Sequence, residues 1–170
     1  MKALTLWPEW AYAICYLEKT IENRGWTPPG NLSRFCIHAG KNIGGNGRDI
    51  ESDVGVMLQI ASDAGYRWDG KAMKDFAYPE YLRLVEKTVA DIRAMSSALV
   101  CAVRLDGVLP KRPQNMDGWH APDSYGWKLA DMQRFEPIPC KGMQGLWDVP
   151  DEQAQRIRAM LQVGATNDPR

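Results

Sequence analysis

The feature that most constrains this chain is the run ALVCAVRL at 98–105, which is almost continuously apolar and rich in β-forming residues. Such a run predicts a central strand. Two segments near the N-terminus, ALTLW (3–7) and SRFCIHAGK (33–41), alternate apolar and polar residues as half-buried strands do. Two later stretches, WHAPDSYGWKLADM (119–132) and IPCKGMQGLWDV (138–149), indicate further short strands separated by turn residues.

Helical periodicity fills much of the remaining sequence. Pro8 opens a helix that is predicted to end near residues 19–20, and a second helix is predicted over 49–65. Further helices begin at Pro79 and at Pro150, since proline is favoured in the first turn. Short strands thus enclose a helical excursion of about fifty residues. This order predicts an α+β fold with a small barrel or a strongly curved sheet.

Length and charge limit the function classes. A chain of 170 residues is long enough for one well-buried domain, and its 45% hydrophobic and 25% charged residues are ordinary for a soluble globular protein. The 21 basic and 21 acidic side chains cancel. That balance argues against a protein that coats long stretches of duplex, and leaves a small local binding pocket open.

Cysteine usage and hydropathy add further limits. The four cysteines stand far apart: Cys15, Cys36, Cys101 and Cys140. No CxxC pair exists and only two histidines are available, so we expect free thiols in a reducing cytoplasm, no metal and no cofactor. No apolar run approaches the ~20 residues that span a membrane, and the N-terminus lacks a signal-peptide pattern. We therefore predict a cytoplasmic protein without membrane contact.

The stretch LEKTIENRGW (17–26) holds the densest set of candidate binding residues. Lys19, Glu22 and Arg24 follow the first helix closely enough to form a charged cluster. An adjacent Glu22 is expected to favour the ammonium form of Lys19, which suits a phosphate or a base carbonyl. Arg24 offers a planar fork for phosphate, and Glu22 an acceptor for an exocyclic amino group. The alternative is a structural ion pair that closes the barrel wall.

Aromatic residues supply candidate stacking faces. Trp26, Tyr125 and Trp127 lie in irregular or strand-like segments, where a ring can stack on a base. Trp26 and Trp127 could equally be core residues. Trp7 and Trp147 sit on apolar-periodic elements and are predicted to be core.

Three further polar residues are candidates on the predicted strands. His38 shares a strand face with Arg34, and either points into a cleft or makes a structural hydrogen bond. Lys41 and Lys141, each close to glycine, are either phosphate contacts or solvated lysines. The glycine-rich stretch GGNG (44–47) lacks the spacing of a phosphate-binding loop and predicts a turn.

Three segments together resemble the ASCH domain, a branch of the PUA-like superfamily found in bacterial and phage proteins. They are KTIENRGW (19–26), RFCIHAGK (34–41) and YGWKLADMQRFEPIPCKGMQGLW (125–147). The resemblance implies a small PUA-like β-barrel with surrounding helices over 1–149 and a helical insertion at about 50–97. The remaining 150–170 would form a C-terminal helix and a frayed tail.

The resemblance also implies a function. It implies a cleft built partly from the K-x-x-E-x-R element that binds RNA or a modified nucleobase. Some small members of the family hydrolyse an acylated cytidine through a K-T-x-T-x-R arrangement, and others are ribonucleases. Here Glu22 stands where those hydrolases have their second threonine, the nucleophile.

Two alternatives remain open from the sequence. The chain could be a small hydrolase or ribonuclease that acts on a modified nucleoside or single-stranded RNA, with Glu22 as general base beside Lys19. The acidic helical region 50–95 could instead bind a protein partner.

Overall fold

The computed structural model describes residues 1–43, 49–111 and 118–165, which form a mixed sheet with helices on both faces. The strands are β1 (Lys2–Leu6), β2 (Ile21–Arg24), β3 (Arg34–Ala39), β4 (Ala98–Leu109), β5 (Tyr125–Pro139) and β6 (Leu146–Asp148). The α-helices are α1 (Pro8–Tyr16), α2 (Ile50–Asp63), α3 (Tyr78–Met95) and α4 (Asp151–Ala165).

The six strands lie in the order β2-β5-β4-β3-β1-β6. β1 and β3 run parallel, and each other neighbouring pair is antiparallel. β4 pairs with β3 on one side and β5 on the other, so the predicted central strand at 98–105 is confirmed. The apolar residues of this strand lie against both layers of helices, which is why its sequence does not alternate.

The first helix ends earlier than predicted. Pro8 does begin α1, but the helix stops at Tyr16 because Glu18 adopts a left-handed backbone conformation with φ of 54°. The backbone N–H of Lys19 donates to Ala13 O at 3.1 Å, which fixes the point where the chain turns back towards the sheet. The helix end therefore determines where Lys19 lies.

Residues 125–139 form one long strand, whereas the sequence predicted short strands separated by turns. β5 contains Pro137 and Pro139, but β2 pairs only with the first part of β5, up to Lys128. Beyond that residue one side of β5 is an edge within the described chain, and an edge strand tolerates proline because no partner needs its N–H.

The sheet is strongly curved. Three register shifts interrupt the pairing of β4 with β5, and such irregularities increase the local twist and bend of a sheet. The curvature brings β2, at one edge, round to β1 near the other edge, where the Arg24 Nη2 donates to Thr5 O at 3.1 Å. The predicted α+β class with a curved, barrel-like sheet is confirmed as a half-barrel.

The remaining helices agree with the sequence to within two residues. Asp49 caps α2 by accepting a hydrogen bond from the Glu51 N–H at 3.2 Å, and α4 packs Ala154 and Ile157 beneath the sheet. The domain boundary at 149 stays a prediction. The GGNG turn and the frayed tail after Ala165 lie outside the described residues. Among the described helices, none combines the length and apolar character needed to cross a bilayer.

Candidate functional site

A large cleft lies at one end of the sheet, where the carboxyl ends of β1, β3 and β5 meet. Leu6 pairs with Ala39, and both Ala39 and Pro139 pair with Ala98, so the three chain segments leave the sheet side by side. The cleft has a volume of about 1120 Å³.

Backbone hydrogen bonds hold this end of the sheet together. Gly40 N donates to Leu6 O at 2.8 Å, Ser97 N to Gly40 O at 3.2 Å, and Cys140 N to Ser97 O at 3.0 Å. A Cβ at Gly40 would lie 3.0 Å from Leu6 O, so the close approach of the two strand ends favours glycine there. The rim of the cleft is therefore fixed by the sheet rather than by loose loops.

The described charged residues that line this cleft are all cations: Arg24, Lys41 and Lys141. They come from three places in the sequence, the ends of β2, β3 and β5. Both lysines are exposed, while the Arg24 side chain is 23% exposed. A cleft lined by one sign of charge favours ligands of the opposite sign. The arrangement suits a phosphate or another anion.

Arg24 is held in place by groups on two strands. Its Nε lies 3.1 Å from Glu22 Oε1, and its Nη2 donates to Thr5 O. A guanidinium has five N–H donors, so contacts at two of its nitrogens leave donors for a ligand. Arg24 thus both links the edges of the half-barrel and presents charge to the cleft.

Lys19 and Glu22 do not line this cleft but a second, smaller pocket of about 250 Å³. Trp10, Val56 and Trp119 form apolar walls around the pair. Lys19 Nζ donates to Glu22 Oε2 at 2.9 Å and also to Ile21 O, and both side chains are buried. The three charges of the K-x-x-E-x-R element therefore form one continuous cluster, of which only Arg24 reaches the large cleft.

The expected effect of Glu22 on Lys19 is outweighed by burial. Removal of the ammonium from water lowers the pKa of Lys19 below its ordinary value, and the opposing influence of the Glu22 carboxylate only reduces that shift. Glu22 thus acts on Lys19 in the expected direction, but the net shift of the Lys19 pKa is downward because desolvation, which the expectation left out, is larger.

The predicted aromatic residues lie away from the cleft. Trp127 is fully buried, donates from Nε1 to Trp26 O at 3.1 Å, and packs edge-on against the Trp26 and Phe35 rings. Its faces are occupied by the core, which leaves no room for a stacked base. Trp26 keeps 38% of its surface exposed, and Tyr125 is half-buried with Lys111 Nζ 5.3 Å from its ring centre.

Two apolar residues in the cleft were missed by the sequence reasoning. Trp7 was predicted to be core, yet it is 41% exposed and lines the cleft. The alternation of ALTLW carried the signal, because Trp7 shares the face of Thr5 and not that of Leu4 and Leu6. Met143, 53% exposed, follows no periodic pattern and lies in the turn before β6.

His38 lies at the floor of the cleft and is buried. Its Nε2 lies 2.8 Å from Cys140 O, and because a carbonyl only accepts, Nε2 carries the proton. Nδ1 is buried without a hydrogen-bond partner among the described groups, and the ring packs edge-on to Trp147 at 5.6 Å. Burial lowers the pKa of His38, which favours the neutral ring.

The cleft does not present the groups of a metal or thiolate site. Among the described residues, no three histidine, cysteine, aspartate or glutamate side chains converge to hold a metal ion. Cys140 lines the cleft, but burial raises the pKa of its thiol, which disfavours the reactive thiolate. What the described cleft offers is cationic donors, apolar surface and a buried imidazole.

Comparison with known proteins found similarity among solved structures alone. No protein-family model and no curated protein matches the chain. Among solved structures, the chain is similar to the crystal structure of ASCH from Zymomonas mobilis, with 16% sequence identity, coverage of 94% of each chain and a TM-score of 0.46. ASCH is the family that the three sequence motifs resemble.

Proposed function

We propose that this protein binds a nucleic acid or a nucleotide-like ligand, RNA or a modified nucleobase above all, through the cleft at the carboxyl ends of β1, β3 and β5. The observation that carries the proposal is the charge of the cleft: its described lining holds Arg24, Lys41 and Lys141 and no carboxylate, and of the three cations Arg24 is paired, with Glu22 outside the lining. The resemblance of three sequence segments to ASCH domains supports the same class of ligand.

The cleft suits a short ligand. Its volume of about 1120 Å³ slightly exceeds the range for sites that enclose small molecules, roughly 300–1,000 Å³. The chain as a whole is neutral, so the attraction is confined to the cleft and does not extend over a long electrostatic surface. One nucleotide or a few nucleotides of a single strand match these dimensions better than a duplex.

The ligand contacts divide into charged and apolar ones. Lys41 and Lys141 are exposed and can contact phosphate. Arg24 lies where β2 meets β1 and directs its remaining N–H donors to the cleft. Trp7 supplies an exposed indole and Met143 a second apolar surface for a base, in place of Trp127. Stacking on an aromatic ring contributes about 1–3 kcal/mol per base and tolerates any base.

Lys19 and Glu22 have a supporting role in this proposal. Both oxygens of Glu22 are engaged, Oε2 by Lys19 and Oε1 by Arg24, and the carboxylate is 8% exposed. This geometry favours a carboxylate that orients Arg24 over one that activates water. Hydrolysis with Glu22 as general base stays a prediction, and so does a protein partner for the region 50–95.

Binding of a short fluorescein-labelled single-stranded RNA, followed by fluorescence anisotropy, tests the proposal. Lys41→Ala and Lys141→Ala are each expected to weaken binding several-fold and to reduce the slope of log K against log salt by about 0.7. The matched control is Lys74→Ala, which removes the same charge from an exposed site outside the cleft. Equal affinities for all four proteins would exclude the cleft as the binding site.

A further inference from the structure

The turn from Cys140 to Gly145, between β5 and β6, forms one wall of the cleft and carries Lys141. It is attached to the sheet at its first residue. Cys140 N donates to Ser97 O at 3.0 Å, and Cys140 O accepts from His38 Nε2 at 2.8 Å. The peptide group that accepts from His38 is therefore the one that joins Cys140 to Lys141.

The turn also lies against the His38 imidazole at Gly142, one residue after Lys141. A Cβ placed on Gly142 would lie 2.4 Å from His38 Cε1, 2.5 Å from His38 Nδ1 and 2.7 Å from Thr5 Oγ1. Real Cβ atoms do not approach other atoms so closely, so only glycine lets the backbone lie against the ring. Lys141 is thus flanked on both sides by contacts with the same buried histidine.

The surroundings of His38 hold it still. It is 2% exposed on β3, where it pairs with Thr5 of β1 and with Leu99 of β4. Trp147 of β6 packs edge-on to the ring and donates from Nε1 to Thr5 Oγ1 at 3.0 Å. A side chain so enclosed is a fixed point from which the turn can be positioned.

We propose that His38 is a positioning residue for Lys141: it fixes the turn 140–145 through the Cys140 carbonyl and the Gly142 backbone, and so determines where the Lys141 ammonium meets the ligand phosphate. His38 itself contributes no charge to the ligand. This inference rests on the proposed function of the cleft, and it assigns the buried imidazole a task that phosphate binding alone leaves unexplained.

Removal of the imidazole tests the inference in a double-mutant cycle with Lys141. His38→Leu is expected to weaken binding of the labelled RNA by about the same factor as Lys141→Ala, and to reduce the salt slope by a similar amount, about 0.7. In the Lys141→Ala background, His38→Leu should have no further effect, because the group that it positions is gone. A residue that only stabilises the fold would not reproduce the salt dependence of the Lys141 variant.

Two further variants separate positioning from general damage. His38→Gln keeps an N–H donor at a distance similar to Nε2 and is expected to recover most of the affinity lost in His38→Leu. Gly142→Ala leaves His38 intact but displaces the turn, and should weaken binding as His38→Leu does. If His38→Leu fails to fold, the cycle of Gly142→Ala with Lys141→Ala provides the same test.

The outcomes distinguish this inference from the proposed function. Equal RNA affinity of the wild type and Lys141→Ala would contradict the cleft proposal itself. A second outcome is that Lys141→Ala weakens binding but His38→Leu leaves the RNA affinity unchanged, or weakens it equally with and without Lys141→Ala. That result would overturn the positioning role and leave the cleft proposal standing. The third outcome is that the double variant binds RNA no more weakly than Lys141→Ala alone and has the same salt slope. That result would support His38 as the residue that positions Lys141.

Discussion

At the scale of single residues, burial decides more than sequence neighbours do. Lys19, Glu22 and Arg24 were recognisable as a cluster from their spacing, and the structure does bring the three side chains together. Which of them faces a ligand was not readable, because that depends on how β2 meets β1 across the curved sheet. Trp7 is the opposite case, since the alternation of ALTLW already separates it from the face of Leu4 and Leu6.

Loss of the buried Glu22 carboxylate should lower the free energy of unfolding. Glu22→Gln leaves the buried ammonium of Lys19 without its opposite charge, and removal of one partner of a buried ion pair costs about 3–5 kcal/mol. Urea unfolding measures the loss. The matched control is Asp148→Asn, which breaks the exposed pair with Lys2 and should cost far less. Similar losses in the two variants would contradict the structural importance of the buried cluster.

Stability should also depend on the ionisation of His38. Burial lowers the pKa of His38 below its ordinary value of 6.5, so the unfolded chain binds this proton more tightly than the folded chain. The free energy of unfolding should therefore fall as the pH drops below 6.5 towards the lowered pKa. Urea unfolding at about pH 7.5 and about pH 5.5 measures the difference, which should be smaller in His38→Gln. An unchanged pH dependence in that variant would contradict this origin of the effect.

At the scale of elements, local patterns predicted the strands and helices better than their ends. The alternation at 3–7 and 33–41 and the apolar run at 98–105 correspond to β1, β3 and β4. The end of α1 depends on one left-handed residue, Glu18, and the length of β5 depends on which part of it β2 covers. Both are set by contacts between distant segments, which no local window contains.

The pairing of β2 with β5 should tolerate no side chain at Gly126. A Cβ there would lie 2.9 Å from Ile21 Cγ2 and 3.1 Å from the His120 ring, so Gly126→Ala forces β2 away from β5. Overpacking of this kind typically costs about 1–3 kcal/mol. Gly25→Ala is the control, because nothing lies within 4 Å of a Cβ at that position. Urea unfolding should show a loss for Gly126→Ala alone, and equal stability of the two variants would refute the tight pairing.

At the scale of the whole molecule, the cleft is a product of topology. The carboxyl ends of β1, β3 and β5 lie at the same end of the sheet. They bring together residues that are far apart in the sequence, namely Trp7, Lys41 and Lys141. The sequence supplied Lys41 and Lys141 as isolated candidates with a solvated alternative for each. Only the strand register shows that they share a site with Arg24 and His38.

We propose that the ligand binds in this cleft and not in the smaller pocket beside Lys19. The most direct test is to record amide chemical shifts by NMR while a short single-stranded RNA is added to the 19.2 kDa protein. Binding in the cleft should concentrate the changes at Gly40, Lys41 and the turn 140–145. Changes at Val56 and Ile60, which line the smaller pocket, with the cleft amides unmoved, would contradict it.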